Sequence, residues 1–469
     1  MDIAPLKRAD MPKPLALKRL LGPSFILLGL GLGSGEIVLW PYLSANYGLG
    51  IIWAAVVGIT LQFFLNMEIA RYTLATGESI FVGFARRLGK LTPPWFIAST
   101  LIPWMWPGLA AASGKILAAA FNISYTSAIP VAILLFIGVV LSSGTVLYKT
   151  QERFQKGALF VGVPFILVLT VLFLTPDTGG AFISGLFGNG ILPTGETYFM
   201  LPAGISIATF LGALAYAGAG GNLNLSQSLY IKEKGYGMGA YAKKLKGLFA
   251  LKSAQASITG TTFELTQQNK RYFSLWWKRV NIEHAAVFWA TGLTTMVALS
   301  VLSYETAYGH SGVTQGISFV TIQSKIMGEV FHPFVATAFL VVTGMLLMFT
   351  QFSVFGSTSR IMAENLVLSD DERFPARNSS QYFYVFLWLQ ILAGIAILQA
   401  GFTEPLVLVT VSAVLNAFSM FIYSIFILIT NESLLPTVAK ATIFRTCMLI
   451  SVILFYGFFA GFVIYQTVT

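Results

Sequence analysis

Two glycine-rich stretches, each ending in polar side chains, contain the residues of this sequence that could bind a ligand inside a membrane. Residues 29–36 read GLGLGSGE, with four glycines in the first seven positions, and residues 218–224 read GAGGNLN. Each glycine lowers helix stability by about 1 kcal/mol relative to alanine. We therefore expect both stretches to interrupt a helix. The freed backbone groups survive at membrane depth only beside a cavity or buried in protein.

Glu36 is the acidic side chain that we place near the middle of the bilayer. A charged residue at that depth costs about 2.5 to 3.5 kcal/mol or more, so such residues usually face a transport pathway. Glu36 then acts as a cation ligand or as a protonatable coupling group. The alternative is a neutral, protonated acid that caps a broken helix end.

The predicted substrate site combines the freed backbone with nearby side-chain oxygen atoms. If a metal ion binds, its ligands include the Glu36 carboxylate, the Ser34 hydroxyl and the Asn222 amide oxygen. Oxygen ligands of this kind suit Mg²⁺, Mn²⁺ or Ca²⁺. The full set of predicted site residues is Gly31, Gly33, Ser34, Gly35, Glu36, Ala219, Gly220, Gly221, Asn222 and Asn224.

Three further polar residues lie within apolar stretches. For Lys115 three roles remain open: extension of the side chain to the external membrane surface, pairing with Glu36 or a helix C-terminus, and contact with an anionic substrate. Asn66 and Asn416 either line the transport pathway or form hydrogen bonds between helices.

The composition of the chain requires a lipid bilayer as its main solvent. The 469 residues are 56% hydrophobic and 10% charged, with a mean hydropathy of +0.75, whereas soluble domains carry about 25% charged residues. Apolar runs of about 20 residues, long enough to cross a hydrocarbon core of roughly 30 Å, recur along the chain. A net charge of +10 would suggest nucleic acid in a soluble protein. Here the basic residues lie between apolar runs, so no nucleic-acid partner is expected.

Eleven transmembrane helices are predicted. Their approximate spans are 22–44, 48–70, 95–121, 128–148, 157–175, 200–231, 284–303, 334–361, 380–400, 404–430 and 444–467.

The basic residues predict the orientation of these helices. One side of the arrangement holds 27 of the 29 Lys and Arg residues, and basic residues are retained in the cytoplasm. We therefore expect a cytoplasmic N-terminal segment, 1–21, a single transmembrane domain, 22–467, and an external C-terminus, in the plasma membrane and specifically a bacterial inner membrane. The basic segment 232–279 is either a solvated loop or an amphipathic piece on the inner leaflet. Glu68 and Arg71 are predicted to form a local surface pair.

Several functional classes are excluded by missing residues. The single cysteine, Cys447, allows no disulfide framework, and the three histidines have no ligand-like spacing. No nucleophile and base pair, metalloprotease motif or phosphate loop is present, so we expect neither an enzyme nor a cofactor. Without an ATPase, active transport would draw on a proton or sodium gradient. The chain is expected to be a monomer.

The two glycine-rich stretches lie five predicted helices apart. That separation is expected when helices one to five and six to ten form inverted repeats, and paired interrupted helices point to a transporter's binding site.

Several short motifs resemble the Nramp divalent-metal transporters. They are Leu21-Gly22-Pro23, Tyr47-Gly48 with Trp53, Ala70-Arg71, Thr76-Gly77 and Asn222-Leu223. The resemblance implies an all-α LeuT-type fold, with ten core helices in two inverted repeats of five, broken helices one and six, and alternating access.

The sequence departs from that family at the metal-binding motifs. Residues 33–36 read GSGE where the family has Asp-Pro-Gly-Asn, and residues 219–221 read AGG where it has Met-Pro-His. In the third helix, residues 108–115 read GLAAASGK and match the family only at Gly114. Because the aspartate, methionine and histidine are all missing, we do not expect transport of a soft transition metal.

Three functions remain open at this point. The leading prediction is a secondary transporter of a small cation, a divalent metal such as Mg²⁺ or Mn²⁺ bound by oxygen ligands. The second is a transporter of a small organic solute, an amine or amino-acid-like molecule, because glycines in place of side chains would enlarge the cavity. The third is a non-transporting membrane receptor.

Overall fold

The structure is a computed structural model and describes residues 3–17, 20, 22–33, 35–143, 147–242 and 259–468. Eighteen α-helices are present in these ranges. They are α1 (Pro23–Gly31), α2 (Trp40–Tyr47), α3 (Ile52–Thr76), α4 (Ile80–Leu88), α5 (Thr92–Trp104), α6 (Gly108–Ala120), α7 (Ala128–Ser143), α8 (Leu147–Phe173), α9 (Pro176–Leu186), α10 (Ile207–Ala215), α11 (Ser226–Lys234), α12 (Gln267–His284), α13 (Thr291–Ala307), α14 (Ser318–Val330), α15 (Pro333–Ser369), α16 (Ser379–Gln399), α17 (Pro405–Leu434) and α18 (Ile443–Val468).

The helices account for a chain that crosses the membrane many times. Eight helical stretches of the described residues are long and apolar enough to span a bilayer, and α7 is a shorter apolar helix. Two further spans are interrupted, one formed by α5 and α6 and the other by α10 and α11. The predicted all-α membrane architecture is therefore confirmed.

Both predicted helix interruptions are present. In the first span, α1 ends at Gly31, and a π-helical turn, Gly35–Leu39, leads into α2. In the sixth span, α10 ends at Ala215 and α11 begins at Ser226, with a short 3₁₀ turn, Gly221–Leu223, between them. The glycine-rich composition of the two stretches thus accounts for the two broken helices.

The third span, predicted as the single helix 95–121, is interrupted. Helix α5 ends at Trp104 and α6 starts at Gly108, so the chain is interrupted at Met105 and Trp106. Pro107 has no amide hydrogen to continue the hydrogen-bond ladder, and its ring clashes with the preceding turn. The third span is therefore interrupted, in addition to the first and sixth spans.

The seventh span begins well before residue 284, where the sequence placed its start. Helix α12 runs from Gln267 and passes through a π-helical turn, Ala285–Ala290, into α13. The Thr266 side chain accepts a hydrogen bond from the amide of Asn269 and starts this helix. The first half of α12 is polar, so the sequence did not distinguish it from the basic loop that precedes it.

Short elements occupy the connections between spans. Strands β2 (Asn189–Ile191) and β3 (Thr197–Phe199) form an antiparallel hairpin after α9. Strand β1 (Lys7–Ala9), in the N-terminal segment, pairs in parallel with β4 (Thr261–Phe263), just before α12. The N-terminal segment is thereby fixed to one face of the molecule, which we call the N-terminal face.

The two broken helices pack directly against each other through glycines. A Cβ atom added at Gly31 would lie 2.8 Å from the carbonyl carbon of Gly218. One added at Gly35 would lie 1.7 Å from the carbonyl oxygen of Tyr216. The glycines therefore bring backbone into contact with backbone, and do not enlarge a cavity as the sequence had suggested.

Gly35→Ala is expected to destabilise the fold strongly. The added methyl group would overlap the Tyr216 carbonyl oxygen and force the two broken helices apart, at a cost of about 3 kcal/mol or more. Thermal unfolding of the purified protein, followed by size-exclusion chromatography, measures the effect. Gly461→Ala in α18 is the control, because a Cβ atom there meets nothing within 4 Å. Equal stability of the two variants would contradict this packing.

Candidate functional site

Gln62 on α3 forms hydrogen bonds with backbone groups that have no helical partner because the sixth span is broken. Its Nε2 donates to the carbonyl oxygens of Leu214 and Ala215, at 3.2 and 3.0 Å. Its Oε1 accepts from the amide of Gly220 at 3.3 Å. One buried side chain therefore binds both ends of the break, which explains how non-helical backbone is tolerated at this depth.

Two tyrosines complete the network around this break. The Tyr423 hydroxyl on α17 donates to the Gly221 carbonyl at 2.9 Å, and Tyr456 on α18 donates to the Leu214 carbonyl at 3.2 Å. Asn224 donates to both Gln62 and Tyr423, each at 3.2 Å. The break is held from three neighbouring helices.

Gln62→Leu is expected to destabilise the protein by about 2 kcal/mol or more, because the Leu214, Ala215 and Gly220 backbone groups lose partners. Thermal unfolding of the purified protein gives the change. Asn66→Leu, one helical turn away, is the matched control: Asn66 is also buried, and its amide makes no hydrogen bond within the described residues. The account fails if both variants lose the same stability.

Glu36 lies at the contact between the first and seventh spans. The side chain is 1% exposed, and its carboxylate accepts a hydrogen bond from the Thr295 hydroxyl on α13. The Thr295 hydroxyl also lies 3.0 Å from the carbonyl oxygen of Gly292. A buried carboxylate with one hydroxyl donor still requires a proton or a cation to offset its charge.

The other predicted site residues point to different helices. Asn222 donates to the hydroxyls of Ser99 and Thr100 on α5, at 2.9 and 2.8 Å. A Cβ atom at Gly33 would meet the Thr350 side chain of α15 at 2.5 Å. Ala219 is fully buried. Ser34 lies outside the described residues.

The described part of the predicted set does not converge on one point in this conformation. Glu36 bonds to α13, Asn222 to α5, and Asn224 to α3 and α17. Within the described ranges, no group of three or more His, Cys, Asp or Glu residues is arranged to hold a metal ion.

A small cavity lies where the third and sixth spans are both interrupted. Its volume is about 10 Å³, about the room for one water molecule. The lining residues are Trp104, Trp106, Gly108, Leu109, Tyr216, Gln351, Val409 and Ser412. None of these is acidic or basic.

Aromatic stacking forms one wall of this cavity and connects it to the first span. The rings of Trp104 and Tyr216 stack with centroids 5.5 Å apart and planes inclined by 25°. The Tyr216 hydroxyl lies 2.7 Å from that of Ser412 and accepts a hydrogen bond from Asn416 at 2.9 Å. The Tyr216 carbonyl packs on Gly35, next to Glu36. A molecule that separates the two rings would therefore press on the first break.

Sequence reasoning missed Gln62, Trp104 and Tyr216 as site residues. The signal for Gln62 was a buried amide within an apolar helix, and the signal for Trp104 was its position between Pro103 and Pro107. Tyr216 lies directly before the second glycine stretch.

Lys115 pairs with an acidic residue other than Glu36. Its Nζ lies 3.1 Å from Oε2 of Glu404, which precedes α17, and both side chains are partly exposed. Nearby, the Tyr125 hydroxyl donates to the Thr403 carbonyl. Burial, with a smaller effect of the Glu404 charge, raises the pKa of Tyr125 to about 12. Lys115 therefore joins the third and tenth spans opposite the N-terminal face.

Glu68 and Arg71 are buried, which corrects their prediction as a surface pair. Their side chains are 2% and 4% exposed, and the Arg71 guanidinium lies 3.8 Å from the centroid of the Trp277 ring. Arg445 from α18 also reaches Glu68, at 3.4 Å. The helix end is covered by α12 and by the start of α18, so this pair ties three elements together at the N-terminal face.

Comparison with known proteins establishes the class of fold. No family model and no curated protein matches the sequence. Solved structures of membrane transporters do match over nearly the whole chain. The protein therefore has the LeuT-type transporter fold that the resemblance implied.

Three solved structures illustrate this similarity. A mutant of the Eremococcus coleocola manganese transporter has a TM-score of 0.70 and 13% identity, over 98% of this chain and 89% of that one. The same transporter in complex with an aromatic bis-isothiourea substituted compound gives 0.65 and 14%, with the same coverage. Mhp1, a nucleobase-cation-symport-1 family transporter in a closed conformation with bromovinylhydantoin bound, gives 0.53 and 11%, over 95% and 83%. At this identity the likeness shows a shared fold.

Proposed function

We propose that the protein is a secondary transporter of a small planar organic solute with hydrogen-bonding groups. The observation that supports this most is the chemistry of the small cavity between the interruptions of the third and sixth spans. Its walls carry two indoles, a phenol, the Gln351 amide and the Ser412 hydroxyl. Flat solutes stack on such rings, and the amide and hydroxyl supply orientation.

The same walls do not suit a divalent metal. Hard cations prefer carboxylate and carbonyl oxygens, and the cavity offers no carboxylate among its lining residues. Mhp1, which shares the fold, binds a hydantoin, a flat cyclic amide. An organic ammonium would also be accepted, since cations bind the faces of Trp and Tyr rings.

The second candidate is a cation bound at Glu36, the leading prediction from the sequence. A buried carboxylate beside broken backbone supports it, and the manganese transporter shows that this fold serves metals. In this candidate the Glu36 carboxylate, the Ser34 hydroxyl and the Asn222 amide oxygen bind the cation, and Asn222 would have to turn towards Glu36. Asn222 would first have to leave its hydroxyl partners on α5.

The cavity has room for about one water molecule, so binding of a solute there requires the Trp104 and Tyr216 rings to separate. Energy for this cycle would come from a proton or sodium gradient. The transporter would work as a monomer. The N-terminal segment, 1–21, and the transmembrane domain, 22–467, would act as one unit because β1 pairs with β4.

The proposed setting is the inner membrane of a bacterium, with a cytoplasmic N-terminus and an external C-terminus. The division of basic residues between the two sides supports this orientation. A reporter fused after Thr469 should then be external. Cytoplasmic activity of that reporter would overturn the orientation.

Uptake into proteoliposomes tests the two substrate classes directly. One panel contains flat amides and small amines, and the other contains Mg²⁺, Mn²⁺ and Ca²⁺. We expect saturable uptake of at least one organic solute and none of the metals above that of protein-free liposomes. Saturable metal uptake without organic uptake would favour the Glu36 candidate, and uptake of neither would contradict transport of both classes.

A further inference from the structure

A second buried carboxylate lies at the contact between the first and seventh spans. Glu283, on α12, is 4% exposed, and its Oε2 accepts a hydrogen bond of 2.5 Å from the Ser24 hydroxyl of α1. The same hydroxyl lies 2.8 Å from Nδ1 of His284. Ser24 and His284 are both fully buried. These three residues form what we call the Ser24 cluster.

His284 is held rigidly within this cluster. Its ring stacks on Phe288 with centroids 4.6 Å apart and on Phe63 of α3 at 5.6 Å. Its second ring nitrogen, Nε2, has no hydrogen-bond partner among the described residues. One nitrogen is therefore engaged by Ser24 while the other remains able to accept a proton.

The Ser24 cluster repeats the arrangement seen around Glu36. In one case a hydroxyl of α13 binds the carboxylate of the first span, and in the other a hydroxyl of α1 binds the carboxylate of the seventh span. Twelve positions separate Glu283 from Thr295, roughly 18 Å at 1.5 Å per residue. The contact between these spans thus carries a carboxylate at two depths.

Among the described residues, few charges reach the Ser24 cluster from the elements packed around it. Of the described residues, Lys234 at the end of α11 is a charged group that faces Glu283. On α8, Lys156 lies 5.7 Å from the ring of Phe25. Arg445 of α18 is bound to Asn281, one turn before the cluster. The cluster therefore combines a carboxylate, a hydroxyl and an imidazole with a lysine at its edge.

We propose that the Ser24 cluster is a proton-binding site that couples proton movement to transport. This inference rests on the proposed transport function and names its coupling ion. Before protonation, His284 Nδ1–H donates to the Ser24 oxygen and the Ser24 hydroxyl donates to the Glu283 carboxylate. A proton then binds at Nε2 of His284. The Nδ1 proton passes to the Ser24 oxygen, and the Ser24 proton passes to Glu283.

The result is a neutral Glu283 acid and a neutral imidazole that carries its proton at Nε2. In total one proton has been added: the new Nε2–H and Glu283 O–H bonds form, the Nδ1–H bond breaks, and Ser24 exchanges one O–H proton for another. The site joins α1 to α12, and an ionised carboxylate at the first turn of α1 is stabilised by the helix dipole. Loss of that charge weakens the attachment of α1, the half of the broken first span on the N-terminal face.

Infrared difference spectroscopy of the purified full-length protein after a pH jump tests this site. The carbonyl stretching band of buried protonated carboxylic acids reports proton uptake, and the probe is the proton itself. We expect Glu283→Gln to remove one component of this band, whereas Glu329→Gln, at an exposed position of α14, leaves the band unchanged. An unaltered band in Glu283→Gln would overturn the proposal.

Two relay variants separate proton transfer from a structural role. His284→Phe preserves the ring stacking, and Ser24→Ala preserves the backbone. Both variants keep Glu283, so the site can still be tested if Glu283→Gln fails to fold. In each we expect the Glu283 band to form about tenfold more slowly or worse. Normal rates in both variants would contradict the relay. A Glu283 band without solute uptake would contradict only the proposed transport function. Solute uptake without that band would contradict only the proposed proton-binding site.

Discussion

Glu36→Gln is expected to abolish saturable uptake while the protein still folds. A carboxylate that is 1% exposed must be neutralised by a proton or paired with a cation, and both states serve a carrier that binds and releases. Glutamine keeps the size of the side chain and can still bond to Thr295, but it carries no charge. Initial uptake rates in proteoliposomes, measured over a range of pH, give the result.

The control for this variant is Lys115→Met. Lys115 pairs with Glu404, and both side chains are partly exposed, so its loss should leave substrate affinity nearly unchanged. Thermal unfolding of both variants separates misfolding from loss of function. Unaltered rate, affinity and pH profile in Glu36→Gln would end the view that this carboxylate carries the central step.

Trp104→Ala is expected to weaken solute binding by about 2 kcal/mol, or roughly thirtyfold in affinity. The indole is 3% exposed, lines the cavity between the third and sixth spans and stacks on Tyr216. Alanine removes the wall on which a flat solute would lie. The concentration dependence of uptake, or of ligand-induced thermal stabilisation, measures the loss.

Two tryptophan variants define the contribution of Trp104. Trp104→Phe keeps an aromatic face and should retain most of the affinity. Trp388→Ala removes an indole of α16 that bonds to Ser142, away from the cavity, so it should lower stability without changing affinity. Equal affinity in Trp104→Ala and the unchanged protein would place the solute elsewhere.

The helix interruptions in the first and sixth spans could be predicted because glycine acts locally. Clusters at 29–35 and 218–221 remove the preference for helix whatever surrounds them. The start of the seventh span could not be predicted in the same way. Helix α12 is polar along much of its length and is held by Trp276 and Arg279, which bind carbonyls of Pro12 and Pro14.

The contents of the site were harder to predict than the breaks. Which residues meet depends on the rotation of each helix about its axis, and that rotation is set by packing between spans. Asn222 is only two residues from Asn224, yet the first bonds to α5 and the second to α3 and α17. Gln62 gave no spacing signal, although its side chain holds both ends of the second break.

Counterflow in proteoliposomes tests the central claim that the broken helices form an alternating-access carrier. Vesicles are loaded with an excess of an unlabelled solute identified in the uptake panel, and entry of the same labelled solute is followed without any ion gradient. We predict transient accumulation of label above equilibrium, and its loss in Trp104→Ala at the same solute concentration. Entry that only approaches equilibrium, at the same rate with and without internal solute, would contradict the account.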